Sequence, residues 1–156
     1  MKLSKNLSLG EFTRSQTAKR RGIDNTPKGE HLEAAKLLAE KIFQPIREHF
    51  GKPIFISSGY RSQALNEAIG GSKTSQHSKG EAIDIDMDHR NGPENEEVFH
   101  YIRENLPFDQ LIWEFGNNER PDWVHVSYKK GGPQRGQILA AKRNSKGKTY
   151  YENWKA

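Results

Sequence analysis

Two histidines and an aspartate are spaced as metal ligands would be. His77 lies in the polar stretch Ser75-Gln76-His77-Ser78-Lys79-Gly80, and Asp84 follows with six residues between them. His125 closes Asp122-Trp123-Val124-His125 some forty residues later. Imidazole nitrogens and a carboxylate oxygen suit a borderline cation such as zinc, and three protein ligands leave a fourth position open for chemistry. Two histidines and a carboxylate also form the iron triad of oxygenases, which commonly sets its first two ligands close together on one strand. Gly80 permits a sharp turn between loop ligand and strand ligand, and small Ala82 leaves room beside Asp84. Taken singly, each residue has a plainer reading. His77 is then a surface histidine, Asp84 one of three acids on a solvated face, and His125 a polar residue on a half-buried strand.

The elements that must carry these residues follow from periodicity. EAIDIDMD alternates strictly, with Ala82, Asp84, Asp86 and Asp88 on one face and Ile83, Ile85 and Met87 on the other. In WVHVSY, His125 shares a face with Trp123 and Ser127 while Val124 and Val126 point away. QLIWEF reads as a further strand, and IFISS as a short one that delivers Gly59, Tyr60 and Arg61 to its C-terminal end. From Lys28 to Phe50, apolar residues recur every three or four positions, which predicts an amphipathic helix kinked by Pro45. Ser8 caps a short helix through Phe12, and TRSQTAKRRGIDNTP wraps the surface to a turn around Asn25 and Pro27. Ser62 caps QALNEAI, and another helix spans Pro93 to Asn105. The predicted fold class is α+β, a small antiparallel sheet with flanking helices.

At 156 residues the chain is one domain, with a core over about 8–130 and a basic segment over 129–156. A 33% hydrophobic fraction arranged in runs between turns makes it globular. The absence of cysteine excludes disulfides, thiolate zinc sites and thiol nucleophiles. No apolar run approaches the roughly 20 residues of a membrane helix, and MKLSKNLSLGEF lacks the apolar centre of a secretory signal. Synthesis in the cytoplasm is therefore expected. The formal charge is +5, and Lys129 to Lys148 holds seven Lys or Arg and no acid. That segment reads either as a docking surface for an anionic partner or as a solvated, partly mobile tail. Aromatic residues are not interleaved with its charges as base stacking would require, so no specific nucleic acid is expected.

The residues Ser75, His77, Gly80, Ala82 and Asp84 spell SxHxxGxAxD, which resembles the motif of the M15 metallopeptidases, a family of D-alanyl-D-alanine carboxypeptidases and phage endolysins. The resemblance continues through GEFTRSQTAKRRGIDN, SSGYRS at Ser57 to Ser62, IGGSKTSQH and DWVHVSY, roughly residues 8 to 130. It implies a hedgehog/DD-peptidase-like fold with Zn2+ held by His77, Asp84 and His125. It also implies that Asp122, where many relatives have glutamate, is the catalytic base, and that Arg61 steadies substrate or oxyanion charge. Strict alternation would aim Asp122 away from His125, so this role requires a loop or bulge at Pro121 to Trp123. Ser75 and Tyr60 are the substrate-binding candidates, although Tyr60 reads more readily as a packing residue beside Arg61. The implied activity is hydrolysis of bonds involving D-amino acids in bacterial peptidoglycan stem peptides, as a D,D-carboxypeptidase or an L-Ala-D-Glu-type endopeptidase. A monomer of phage, prophage or bacterial origin, reaching the wall after release, fits that activity. The alternative is a non-catalytic zinc-containing wall-binding domain of the same fold.

Overall fold

The computed structural model describes residues 1–156. Its N-terminus is a small hairpin, β1 (Lys2–Ser4) with β2 (Leu7–Ser8), whose Leu3 and Leu7 enter the core. Ser8 ends the hairpin and starts α1 (Leu9–Thr13) through a reciprocal cap. Its hydroxyl accepts from the Glu11 N–H while the Glu11 carboxylate accepts from the Ser8 N–H. The basic stretch that follows contains a short helix, α2 (Gln16–Arg21). Ser15 caps its start, and Gly22 in the left-handed region ends it.

The long apolar-periodic stretch is one helical run with a change of pitch: α3 (Glu30–Leu38), a π-helical segment (Ala39–Phe43) and α4 (Gln44–Phe50). Pro45 accounts for the widening. It has no N–H to offer the Lys41 carbonyl, and its ring would crowd that carbonyl in a regular turn. The helix therefore opens by one residue just before it, and Ala35, Leu38, Ile42 and Ile46 stay buried as one stripe.

The remaining expected elements form close to their sequence positions: β3 (Ile56–Ser58), α5 (Gln63–Ala68) capped by Ser62, β4 (Ala82–Ile85), α6 (Asn95–Asn105), β5 (Gln110–Glu114) and β6 (Trp123–Ser127). Two more strands come from the basic C-terminal segment, β7 (Gln137–Arg143) and β8 (Thr149–Asn153). They complete a six-stranded sheet in the order β3-β4-β6-β5-β7-β8. Only the β5–β7 pair is parallel. The class is α+β, with a sheet larger than expected and not wholly antiparallel. Residues 137–143 and 149–153 are thus ordered strands and no tail, because the apolar run Ile138 to Ala141 pairs with Leu111 to Glu114. Arg135 adds a bidentate pair with buried Asp109, which fixes the chain just before β7.

Alternation divides the sheet into two faces. Ile83, Ile85, Leu111, Trp113, Val124, Val126 and Ala140 join the helices in the core. On the other face, Asp84 stands opposite His125, His125 opposite Ile112, and Trp123 opposite Glu114. No helix is long and apolar enough to cross a membrane.

Candidate metal centre

His77 is held before anything binds it. It sits on a 3-10 turn (Gln76–Lys79), where the Ser75 hydroxyl accepts from its backbone N–H at 3.2 Å. Gly80 ends that turn at φ 75°, and a Cβ there would overlap the His31 carbonyl oxygen, so the position requires glycine twice over. The His77 ring is 3% exposed, and its Nδ1 donates to the Gly59 carbonyl at 2.7 Å. That bond places the proton on Nδ1 and leaves Nε2 with a lone pair. Burial pulls the His77 pKa below its ordinary value, which favours this neutral form although Asp84 opposes it.

Nε2 points at Asp84 Oδ1, 3.3 Å away. Burial works to raise the Asp84 carboxyl, but the charge of His77 and hydrogen bonds from both histidines hold it well below the usual carboxylate range. With Nδ1 committed to Gly59, the two atoms face each other either across a second proton, on a charged His77, or across a cation, and in the neutral form that burial favours it is a cation that resolves the approach. His125 Nδ1 lies 2.9 Å from the same oxygen, and the donor atoms of all three residues fall within 4.8 Å of one another. Two ligands at about 2.05 Å from a tetrahedral ion are about 3.3 Å apart, so the spacing fits a divalent ion.

Arg61 approaches the same centre. Its backbone N–H donates to the His77 carbonyl at 3.2 Å, which ties the two loops together. Asn25 braces the loop from below: its amide donates to the Thr13 and Tyr60 carbonyls, and its oxygen accepts from the Ser62 N–H at 2.7 Å. Burial lowers the Arg61 pKa, opposed by the Asp84 and Glu114 carboxylates, and its buried Nε has no partner. Tyr60 borders a hollow beside Arg61, but the residue is buried in the core and its hydroxyl meets His31 Nδ1 at 3.0 Å. Both expected substrate contacts, Ser75 and Tyr60, are thus engaged in internal hydrogen bonds that position the site.

Residues 5–127 match the profile of the family described as Peptidase M15. The chain belongs to the peptidase M15 family. It is accordingly a metallopeptidase, and His77, Asp84 and His125 are the group that could hold its metal. No curated protein matches the chain.

The acids of this M15 peptidase are arranged differently from the sequence expectation. Asp122 is exposed and lines a hollow with Trp113, Ala140 and Trp154, residues of the opposite side. Pro121 and Asp122 do lie in a loop ahead of β6, as the expected role required, and the loop leaves Asp122 on that hollow. Glu114 pairs directly with Trp123, and the Asp122 N–H and carbonyl are engaged by Glu114 and Asn95. Glu114 itself, absent from the sequence-based candidates, is the buried acid near the centre. It is 8% exposed at the end of β5. Burial raises its pKa to about 7, with His125, Trp123 and Arg61 pulling it down and Asp84 pushing it up. The available signal was an acid at an in-register position of the apolar run QLIWEF, on the face shared by Gln110 and Ile112.

Proposed function

We propose that this M15 peptidase is zinc-dependent and hydrolyses peptide bonds involving D-amino acids in the stem peptides of bacterial peptidoglycan. The observation that carries the metal reading is the approach of His77 Nε2 to ionised Asp84, with His125 on the same oxygen. The likeness of SxHxxGxAxD and SSGYRS to wall-cutting relatives supports the choice of substrate. When bound, zinc supplies the Lewis-acid charge that polarises a peptide carbonyl and acidifies water.

The chain's own residues do the rest. Glu114 takes the proton from the attacking water and returns it to the leaving amine. A carboxyl raised to about 7 is balanced between the two states this shuttling needs. Arg61, with an unpartnered buried Nε, donates to the oxygen on which negative charge gathers. His77 keeps its Nδ1 proton on Gly59, so its Nε2 stays available throughout.

Incubation with purified peptidoglycan is expected to release free amino groups. A chelator should abolish the release and added zinc restore it. New reducing ends without new amines would identify a glycosidase, and binding without either product would identify a wall-binding domain. Arg61→Ala is expected to lower turnover on the order of a hundredfold while metal content and melting temperature stay near wild type. Unchanged turnover would reduce Arg61 to a loop residue.

A further inference from the structure

The M15 match ends at residue 127, and β7 and β8 lie beyond it. These strands nevertheless extend the face that carries the centre. One row of residues in register crosses four strands, with Trp123 opposite Glu114, Glu114 beside Ala141, and Ala141 opposite Tyr151. Residues in register share a face. Tyr151 therefore stands on the same side of the sheet as Glu114 and His125, separated from Glu114 only by the methyl group of Ala141. β8 is exposed along its whole length, and Tyr151 is 55% exposed, a large ring left open to solvent.

We propose that Tyr151 forms a remote subsite of the catalytic cleft, where its ring and hydroxyl hold an extended peptide substrate about two or three residues from the bond that is cut. The inference rests on the peptidase reading above. From Trp123 to Tyr151 the row makes three strand-to-strand steps of about 4.8 Å, roughly 14 Å in all. An extended peptide covers about 3.3 Å per residue, so the two steps from Glu114 to Tyr151, about 10 Å, correspond to about three residues. Burial and then the Glu114 and Asp84 carboxylates raise the Tyr151 pKa. A hydroxyl kept protonated is a donor, suited to a main-chain carbonyl, while the ring packs on the substrate's apolar atoms. The basic C-terminal segment then belongs to the cleft.

The test uses stem peptides that share one scissile bond and lengthen by one residue at a time on either side. KM and calorimetric Kd are compared for the wild-type chain, Tyr151→Phe and Tyr151→Ala, each loaded with zinc. In the wild type, affinity should improve once the peptide reaches Tyr151. In Tyr151→Ala that improvement should be lost, on the order of tenfold, with Tyr151→Phe between the two. The same length dependence in all three proteins would overturn the proposal, including the case where every peptide weakens equally, as a merely structural residue would cause. If the wild type binds the series but cuts none of it, the peptidase reading falls while the Kd comparison still decides the role of Tyr151.

Discussion

His125→Ala is expected to lose metal and activity together. His125 contributes the only donor from β6, and Asp84 Oδ1 is shared between it and His77. With one imidazole gone, two donors remain, and affinity should fall on the order of a thousandfold or more. Metal analysis after dialysis should show near-stoichiometric zinc in the wild type and almost none in the variant, with amine release at background. His125 is 9% exposed and paired on both sides by β4 and β5, so truncation also disturbs packing. Melting temperatures of both proteins in chelator separate that effect, since a fold defect appears there and a lost ligand does not. A variant that retained its zinc would overturn the ligand set.

Glu114→Gln is expected to keep zinc and lose turnover, by a hundredfold to ten-thousandfold in order of magnitude, because the amide matches the carboxylate in size but cannot take a proton. Asp122→Asn should retain most of the wild-type rate, since Asp122 is exposed and lines the opposite side. The reverse outcome would restore Asp122 as the base and require the chain at Pro121 to Trp123 to rearrange on substrate binding. The same pair of proteins makes a stability prediction for the metal-free state. The folded pKa of Glu114 is raised to about 7 from an ordinary 4.5, so the folded protein binds this proton more tightly than the unfolded chain. Stability from this group is fully present below pH 4.5 and is lost as pH rises to about 7. In chelator at pH 8, Glu114→Gln should therefore melt above the wild type, and equal melting temperatures would mean that the buried charge costs the fold nothing.

Much of the site was legible because its signals are local. Strict alternation in EAIDIDMD placed Asp84 on the face opposite Ile83 and Ile85, and the structure keeps it there. Capping hydroxyls at Ser8 and Ser62 marked two helix starts, and the turn glycine of the motif fell where a left-handed residue was needed. Pro45 announced a disturbance whose form, a π-turn, depended on the continuous apolar stripe that keeps both halves packed.

Register was the part that local pattern could not supply. Asp122 and Glu114 are both acids near the ends of apolar strands, and only the pairing of Glu114 with Trp123 shows which of them shares a side with His125. One residue of slip would exchange their places. The parallel insertion of β7 beside β5 is equally non-local: charge dominates the composition of Lys129 to Lys148, while the few apolar residues Ile138 to Ala141 decide where it goes. The sequence by itself determined the ligand types, the strands that present them and the loop that brings His77. Which buried acid joins them, and that the C-terminal strands widen the same face, were decided by the tertiary structure. Burial and cross-strand register arise only when segments far apart in the chain pack together.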